Sequence, residues 1–152
     1  DSSGRVLLPT IPAFRVSRTS DQSITSTGDN TIEWNEGTDS ENDNCFTQGG
    51  FSWSSGVLTV PVAGVYSFSA ILRVDGVGSG YVVGKIVKNN DSSGNREAYI
   101  IDGDPATDYA NITGTTLYKC SANDNIRVDI AASADSSYSL TNHSSFSGHL
   151  IG

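Results

Sequence analysis

Apolar and small polar residues alternate along the chain, most clearly in Val65–Leu72. Tyr66 and Phe68 fall on one face of an extended strand and Ser67 and Ser69 on the other, because strand side chains alternate with a period of two. The segment therefore predicts a strand that buries its aromatic face in a core. Its opposite face carries only small side chains, which lets another part of the protein or another chain approach closely.

Further strand-like segments follow the same logic and are separated by stretches rich in Gly, Ser, Asn and Asp. No segment shows a helical period, and no internal repeat indicates a propeller or a solenoid. Nine or ten short strands of this kind predict a two-sheet antiparallel sandwich. The predicted strands are Ala13–Ser17, Thr31–Trp34, Val57–Val62, Val65–Leu72, Tyr81–Lys88, Ala98–Ile101, Thr115–Lys119, Asn125–Ala131 and Phe146–Ile151.

The segment Tyr81–Val87 is apolar on both of its faces. Such a strand packs one face into the core and the other against a second subunit, or is covered by loops of its own chain. We expect Tyr81 and Val83 to contribute to a subunit contact or to the core. Tyr66, Phe68 and Phe146 belong to the same predicted group of core and interface residues.

Length and composition indicate one globular domain. Of the 152 residues, 36% are hydrophobic, which is enough to build a core, and 17% are charged. Residues 1–12 carry Pro9 and Pro12 without a strong period and are expected to be an extended lead-in from an upstream stalk, followed by the domain at 13–152. No run of 18 apolar residues occurs, so we expect no membrane insertion.

The formal net charge is −8 at pH 7, and the nine basic residues are scattered. Nucleic acid binding requires clustered Lys and Arg to neutralise phosphates. We therefore expect no nucleic acid partner.

Two motifs carry a family resemblance. Gly64–Phe68 has a glycine–any–tyrosine–any–phenylalanine pattern, and Phe146–Ile151 is a closing phenylalanine–serine–glycine–any–leucine strand. Both resemble the complement C1q and tumour-necrosis-factor-like family. Weaker resemblances follow in the family's order at Pro12–Val16, Ile32–Asn35, Ser55–Leu58, Ile86–Asn90, and Leu117 with Ala122–Val128.

The resemblance covers residues 12–152 and departs from the family pattern at Leu58 and Ala70, where aromatics are usual, and at Asn123, where glycine is usual. It implies an all-β, ten-stranded antiparallel jelly-roll sandwich that assembles as a homotrimer.

Cys45 and Cys120 are too few for a disulfide framework or a four-sulfur zinc site. They could form one bridge or remain two free buried thiols, and the residues favour neither alternative.

Asp39, Glu41 and Asp43 place three carboxylates at alternate positions in one turn-rich stretch. Calcium prefers carboxylate and carbonyl oxygens, but Asn44 and Gly50 occupy the positions where an EF-hand needs Gly and Glu. An EF-hand is therefore excluded. A calcium loop of another kind and a solvated acidic loop both remain open, and no cofactor is required.

A second acidic stretch contains Asp102 and Asp104, and Asp102 joins the calcium candidates. We expect Asp104, Tyr109 and Tyr138 to contact a ligand, because turn-rich loops with Tyr combine a rigid amphipathic ring with adaptable hydrogen bonds. Ordinary turn chemistry is the alternative for each loop.

Catalysis is not expected from this sequence. His143 lies in a Ser/Asn-rich stretch and His149 in the closing strand, and no glycine–any–serine–any–glycine elbow presents a nucleophile. The protein is predicted not to be an enzyme.

The leading functional hypothesis is a trimeric receptor-binding head at the tip of a phage-type or virion-type fibre, outside the cell or on the virion surface. Its partner would be a cell-surface glycan or protein. Pro12–Arg15 and Asn44–Phe46 support the fibre setting because they are similar to C1q-like domains of phage and other microbial surface proteins. The alternatives are a secreted C1q-like lectin of innate immunity and a purely structural trimerisation cap.

Overall fold

The computed structural model describes residues 10–35, 45–78, 80–89, 97–102, 109–134 and 137–152, with the backbone alone for 97–102. These residues form antiparallel strands. Among them there is no helix that is long and apolar enough to cross a membrane. In chain order the strands are β1 (Ala13–Ser17), β2 (Gln22–Ile24), β3 (Asn30–Thr31), β4 (Phe46–Gln48), β5 (Ser52–Ser54), β6 (Val57–Thr59), β7 (Gly64–Asp75), β8 (Val82–Lys88), β9 (Glu97–Asp102), β10 (Tyr109–Cys120), β11 (Asn125–Ala132), β12 (Tyr138–Leu140) and β13 (Ser145–Leu150).

The strands form two sheets, as expected for a jelly-roll-like sandwich. The seven-stranded sheet has the order β2-β12-β7-β13-β1-β4, with β10 along the other side of β7. The six-stranded sheet has the order β5-β6-β11-β8-β9, with β3 also paired to β11. The predicted all-β antiparallel architecture is thus confirmed, with several short strands that the sequence patterns did not indicate.

The core between the sheets is dominated by aromatic rings. Tyr66, Phe68 and Phe146 are fully buried, and the ring centroid of Phe14 lies 5.0 Å from that of Phe146 and 5.1 Å from that of Phe51. The Phe14 contacts are edge-to-face, which aromatic quadrupoles favour. The Phe14 ring centroid also lies 6.3 Å from that of Phe68, so one aromatic cluster joins the first, seventh and last strands.

The outward apolar residues of β8 are mostly covered within the single chain. Val87 is fully buried and Val83 is 9% exposed, whereas Tyr81, just before the strand, is 52% exposed. A second subunit is therefore not needed to cover Val83 and Val87. The alternative of coverage by the chain itself accounts for these two residues, and only Tyr81 remains open.

Tight turns connect the strands, and the residues in these turns suit the left-handed backbone conformation that the turns require. Ser55 and Gly56 have φ values of 49° and 78° and link β5 to β6, which is the two-residue hairpin turn that suits the strand twist. Asn123 has a φ of 70°. Asn tolerates this left-handed region better than other side chains, which explains why it replaces the expected glycine.

Cys45 and Cys120 lie at opposite ends of the seven-stranded sheet. The Cys45 Sγ is 3.1 Å from the Oγ of Ser17, which shares a cross-strand row with Ile71 of β7. Cys120, at the end of β10, instead lies opposite Gly64 of β7 in the strand register. At about 3.3 Å per residue the two rows are roughly 23 Å apart, whereas a disulfide requires Cα atoms within about 7 Å. Both cysteines are free thiols, and the bridge is excluded.

Candidate assembly and recognition surfaces

Small hydroxyl side chains occupy the centre of the outward face of the seven-stranded sheet. Thr115, Ser69 and Ser147 form one row across β10, β7 and β13. The Oγ1 of Thr115 donates a 3.0 Å hydrogen bond to the Oγ of Ser69. Short side chains give this part of the face a flat surface.

Three large side chains stand on the same flat face. Leu117 is 62% exposed, Ile71 is 49% exposed and Tyr109 is 49% exposed. They sit on the outward-facing positions of β10 and β7, which alternate with the buried positions. Exposed apolar side chains on a flat sheet are typical of surfaces that meet another protein chain. We call this face, centred on β7, β10 and β13, the flat face.

Tyr109, which the sequence nominates as a ligand contact, lies exposed at one end of the flat face. It pairs with Asp75, and the guanidinium carbon of Arg73 is 5.1 Å from the centre of its ring. Arg73 Nε also donates a 3.2 Å hydrogen bond to Asp75 Oδ1. The cation over the ring holds Tyr109 in a defined orientation.

Tyr138 does not lie in an exposed loop, and the expectation that it contacts ligand from one is wrong. It begins β12 and is 4% exposed, because β12 is inserted between β2 and β7. Burial raises its pKa to about 12. Its aromatic ring is part of the core.

The other predicted ligand and calcium residues cannot be placed. Asp39, Glu41, Asp43 and Asp104 lie outside the described residues, and Asp102 ends β9 with only its backbone described. Among the side chains that the structure does describe, no group of three or more His, Cys, Asp or Glu residues is arranged to hold a metal ion. The calcium loop therefore stays a prediction.

A second surface lies on the outward side of the six-stranded sheet, where the segment 27–31 runs beside β11, with which β3 pairs. Both carboxylate oxygens of Asp29 accept hydrogen bonds of 2.9 Å from Lys85 Nζ in β8. Thr31 Oγ1 donates a 2.8 Å hydrogen bond to Asp129 Oδ1 in β11. We call this segment the strap, since these contacts fasten it to the sheet.

Asp129 is held from two directions next to the strap. Besides the bond from Thr31, both of its carboxylate oxygens accept hydrogen bonds from Arg127 Nε, at 2.9 and 2.8 Å. Its side chain is 2% exposed and that of Arg127 is 20% exposed. A carboxylate buried this deeply requires such partners, because an unpaired buried charge is very costly.

Two open grooves lie beside the strap, which contributes residues to both. The first groove has a volume of about 420 Å³ and the second about 370 Å³. The first is lined by Asp29, Thr31, Val57, Val87, Asn125, Ile126, Arg127 and Asp129. The second is lined by Thr27, Tyr81, Val83, Lys85, Ala131, Ala132 and Ser133.

Sequence reasoning missed the charged residues of these grooves. The available signal was the placement of Lys85 inside the apolar segment of β8, and of Arg127 and Asp129 at alternate positions of β11. Charged residues within an otherwise buried strand indicate paired charges on one face. Their partners Asp29 and Thr31 are distant in the sequence and cannot be identified from it.

The chain is similar to a known protein family and to solved structures. The model of the C1q domain family matches residues 13–151. The solved structure of murine APRIL at pH 5.0 is similar with a TM-score of 0.65 and 15% identity, covering 93% of this chain and 98% of that one. The globular domain of zebrafish complement 1qA has a TM-score of 0.61 and 19% identity, also covering 93% and 98%. No curated protein sequence matches this chain.

Proposed function

This chain belongs to the C1q domain family, and on that premise we propose that it is a homotrimeric receptor-binding head without enzymatic activity. Domains of the C1q and tumour-necrosis-factor-like type are generally non-enzymatic recognition domains, are typically secreted or extracellular, and typically form homotrimers. The family resemblance in the sequence is confirmed by the family match and by both structural neighbours.

The observation that carries the proposal is the exposure of Leu117 and Ile71 on the flat face. Both are large and apolar, and their neighbours on this face are Ser and Thr side chains short enough to let another chain approach closely. Burying two such side chains stabilises an interface by several kcal/mol in order of magnitude. In a closed ring of three, each copy would contact its two neighbours through different parts of the flat face.

Assembly through the flat face leaves the outward side of the six-stranded sheet and the connecting loops available to a ligand. We place the head at the tip of a phage-type or virion-type fibre, where it would contact a cell-surface glycan or protein. The sequence similarity to C1q-like domains of microbial surface proteins supports that setting. Tyr109 remains a candidate ligand contact because it is the first residue of β10, at the end of the flat face, where its exposed ring is oriented by Arg73.

Light scattering of the purified protein at low micromolar concentration tests the assembly. We expect a mass about three times that of the 16.0 kDa chain. Leu117→Asp and Ile71→Asp should each shift the protein to a monomer, because a carboxylate buried in an apolar contact is strongly unfavourable.

The matched control for these variants is Val62→Asp. Val62 is also exposed and apolar, at 44%, but lies before β7 and outside the flat face. It should leave the mass unchanged, and circular dichroism should show the same β signal in all variants. A wild-type protein that is a monomer at this concentration overturns the proposed assembly.

A further inference from the structure

We propose that the outward side of the six-stranded sheet binds a neutral, hydroxyl-rich saccharide along the two grooves that flank the strap. The inference rests on the proposed recognition function and supplies the chemical class of its ligand. The path follows β8 and β11 from Tyr81 at one end to Asn125 at the other. We call it the saccharide track. From Tyr81 to Val87 it is about 20 Å long at the usual rise of a strand.

The strands beneath the track are interior strands of the sheet, with a neighbouring strand on each side. β8 pairs with β11 on one side and β9 on the other, while β11 pairs with β8 and with both β6 and β3. A peptide that adds a strand to a sheet needs an unpaired edge. The ligand must therefore be recognised by side chains, through stacking and hydrogen bonds.

Among the side chains that the structure describes, the charges that line the track balance. Asp29 is paired with Lys85, and Asp129 with Arg127, so the described lining has two carboxylates and two bases. The whole chain carries a formal charge of −8. An anionic ligand would meet a repulsive field from the protein without a surplus of bases to bind it. These charges favour a neutral ligand.

Tyr81 supplies a platform at one end of the track. It is 52% exposed, and its backbone is fixed because its N–H donates a 2.9 Å hydrogen bond to Ser133 Oγ while its carbonyl accepts one of 2.9 Å from the Ser133 N–H. A Tyr ring presents a large, rigid surface at low entropic cost. It suits the apolar face of a sugar ring, while the hydroxyls of Ser133 and Thr27 lie in the same groove.

At the other end of the track from Tyr81, the polar side chains are also held in place. Arg127 is oriented by its two hydrogen bonds to Asp129, which is itself fixed by Thr31. Asn125 adds an amide to the same groove. Charged and amide groups positioned before binding favour hydrogen bonds to sugar hydroxyls at little ordering cost. The volumes of about 420 and 370 Å³ fall in the range of small-ligand sites.

The test begins with the intact protein on an array that carries cellotetraose, mannotriose and N-acetyllactosamine, with sialylated and sulfated forms of the last. We expect binding to at least one neutral glycan and no gain from sialylation or sulfation. Backbone-amide NMR titration with the glycan that binds should shift the resonances of β8 and β11. Absence of binding to every neutral glycan overturns the proposal, as does preference for the anionic forms.

Two variants at one position show whether the track is the site. Tyr81→Ala should weaken the neutral glycan by about tenfold or more, since the stacking surface is lost, and Tyr81→Trp should retain binding. Phe46→Ala removes an aromatic that is 44% exposed on the seven-stranded sheet, and it should change nothing. If Tyr109→Ala lost binding while Tyr81→Ala retained it, the ligand would lie on the flat face and the proposal would be overturned.

The monomeric variant Leu117→Asp separates this inference from the proposed assembly. The track lies on the opposite sheet, so the monomer should bind the free glycan with the same affinity per site and lose only the avidity seen on the array. A trimer that binds no neutral glycan refutes the saccharide track alone. A wild-type monomer whose β8 and β11 amides shift with the glycan refutes the proposed assembly alone.

Discussion

The side-chain amide of Asn89 donates a 2.7 Å hydrogen bond to Asp124 Oδ1, which ties the end of β8 to the turn before β11. The other oxygen of Asp124 accepts a 2.8 Å bond from the Ser121 N–H and lies 2.9 Å from Lys88 Nζ. Partial burial raises the pKa of Asp124, but these three hydrogen bonds outweigh it and hold the pKa below its ordinary value. The carboxylate thus organises the turn in its ionised form.

Replacing Asp124 by Asn should lower the free energy of unfolding at pH 7 by about 1–3 kcal/mol, because hydrogen bonds to a charged acceptor are lost. Since the folded pKa is depressed, this stabilisation is present above about pH 4 and is lost as the pH falls through the lowered folded value. Urea denaturation at pH 7 and pH 3 should show the difference between wild type and variant shrinking in acid.

Asp75→Asn is the control for that experiment. Asp75 is paired with Arg73 at 3.2 Å, but its side chain is 45% exposed. An exposed pair contributes about 1 kcal/mol or less, so this variant should be close to wild type at neutral pH. An equal loss of stability in both variants would show that the Asp124 network is not special.

Tyr138→Phe should leave stability at pH 7 unchanged or slightly raised. The Tyr138 hydroxyl is buried and makes no hydrogen bond to any residue that the structure describes. Burial raises the pKa of Tyr138 and the nearby Asn30 side chain lowers it, although Asn30 does not meet the geometry of a hydrogen bond to the hydroxyl. Removing an unsatisfied buried hydroxyl recovers its desolvation penalty. Thermal denaturation of the variant and the wild type measures the difference.

The same variant should resist alkali better than the wild type. The folded pKa of Tyr138 is about 12, whereas an unfolded tyrosine titrates near 10. Stability is therefore full below about pH 10 and declines as the pH rises towards the folded value, because the unfolded chain loses its proton first. Tyr138→Phe removes this contribution, so its stability curve between pH 10 and 12 should be flatter.

Tyr66→Phe is a matched comparison with the opposite sign at neutral pH. The Tyr66 hydroxyl donates a 2.9 Å hydrogen bond to the carbonyl of Val62. Its loss should cost about 1 kcal/mol. If both variants were destabilised equally, the Tyr138 hydroxyl would have a hydrogen-bond partner in solution.

Gly148→Ala should destabilise the aromatic core. A Cβ at this position would lie 2.6 Å from Phe68 Cδ1 and 2.7 Å from Phe14 Cε1. Overpacking of this kind typically costs about 1–3 kcal/mol. Gly28→Ala is the control, because a Cβ there meets nothing within 4 Å. Chemical denaturation should separate the two variants, and similar midpoints would contradict the packing of β13 on β1 and β7.

The two cysteines should differ in reactivity. Burial raises the pKa of Cys120 to about 11, so little thiolate is present at neutral pH, while Cys45 is only partly buried. Titration with a thiol reagent should show Cys45 reacting first in the native protein and two thiols in the denatured, unreduced chain. Finding no free thiol after denaturation would contradict the separation of the two residues in the sheet.

The sequence by itself determined the architecture, because the strand period and the turn residues act locally. The alternation around Tyr66 and Phe68 predicts which face of β7 is buried, since neighbouring side chains on one strand must point to opposite sides. The left-handed backbone at Gly56 and Asn123 depends on the conformational freedom of one residue. Such features need no knowledge of distant partners.

Only the tertiary structure decided which distant residues meet. Thr31 and Asp129 are 98 residues apart along the chain, yet they form the hydrogen bond that fastens the strap beside the grooves. Tyr138 has the local surroundings of a loop residue but is buried because β12 enters a sheet between β2 and β7. Cys45 and Cys120 are held apart by cross-strand register. Register is set by the packing of both sheets together, and no local pattern contains it.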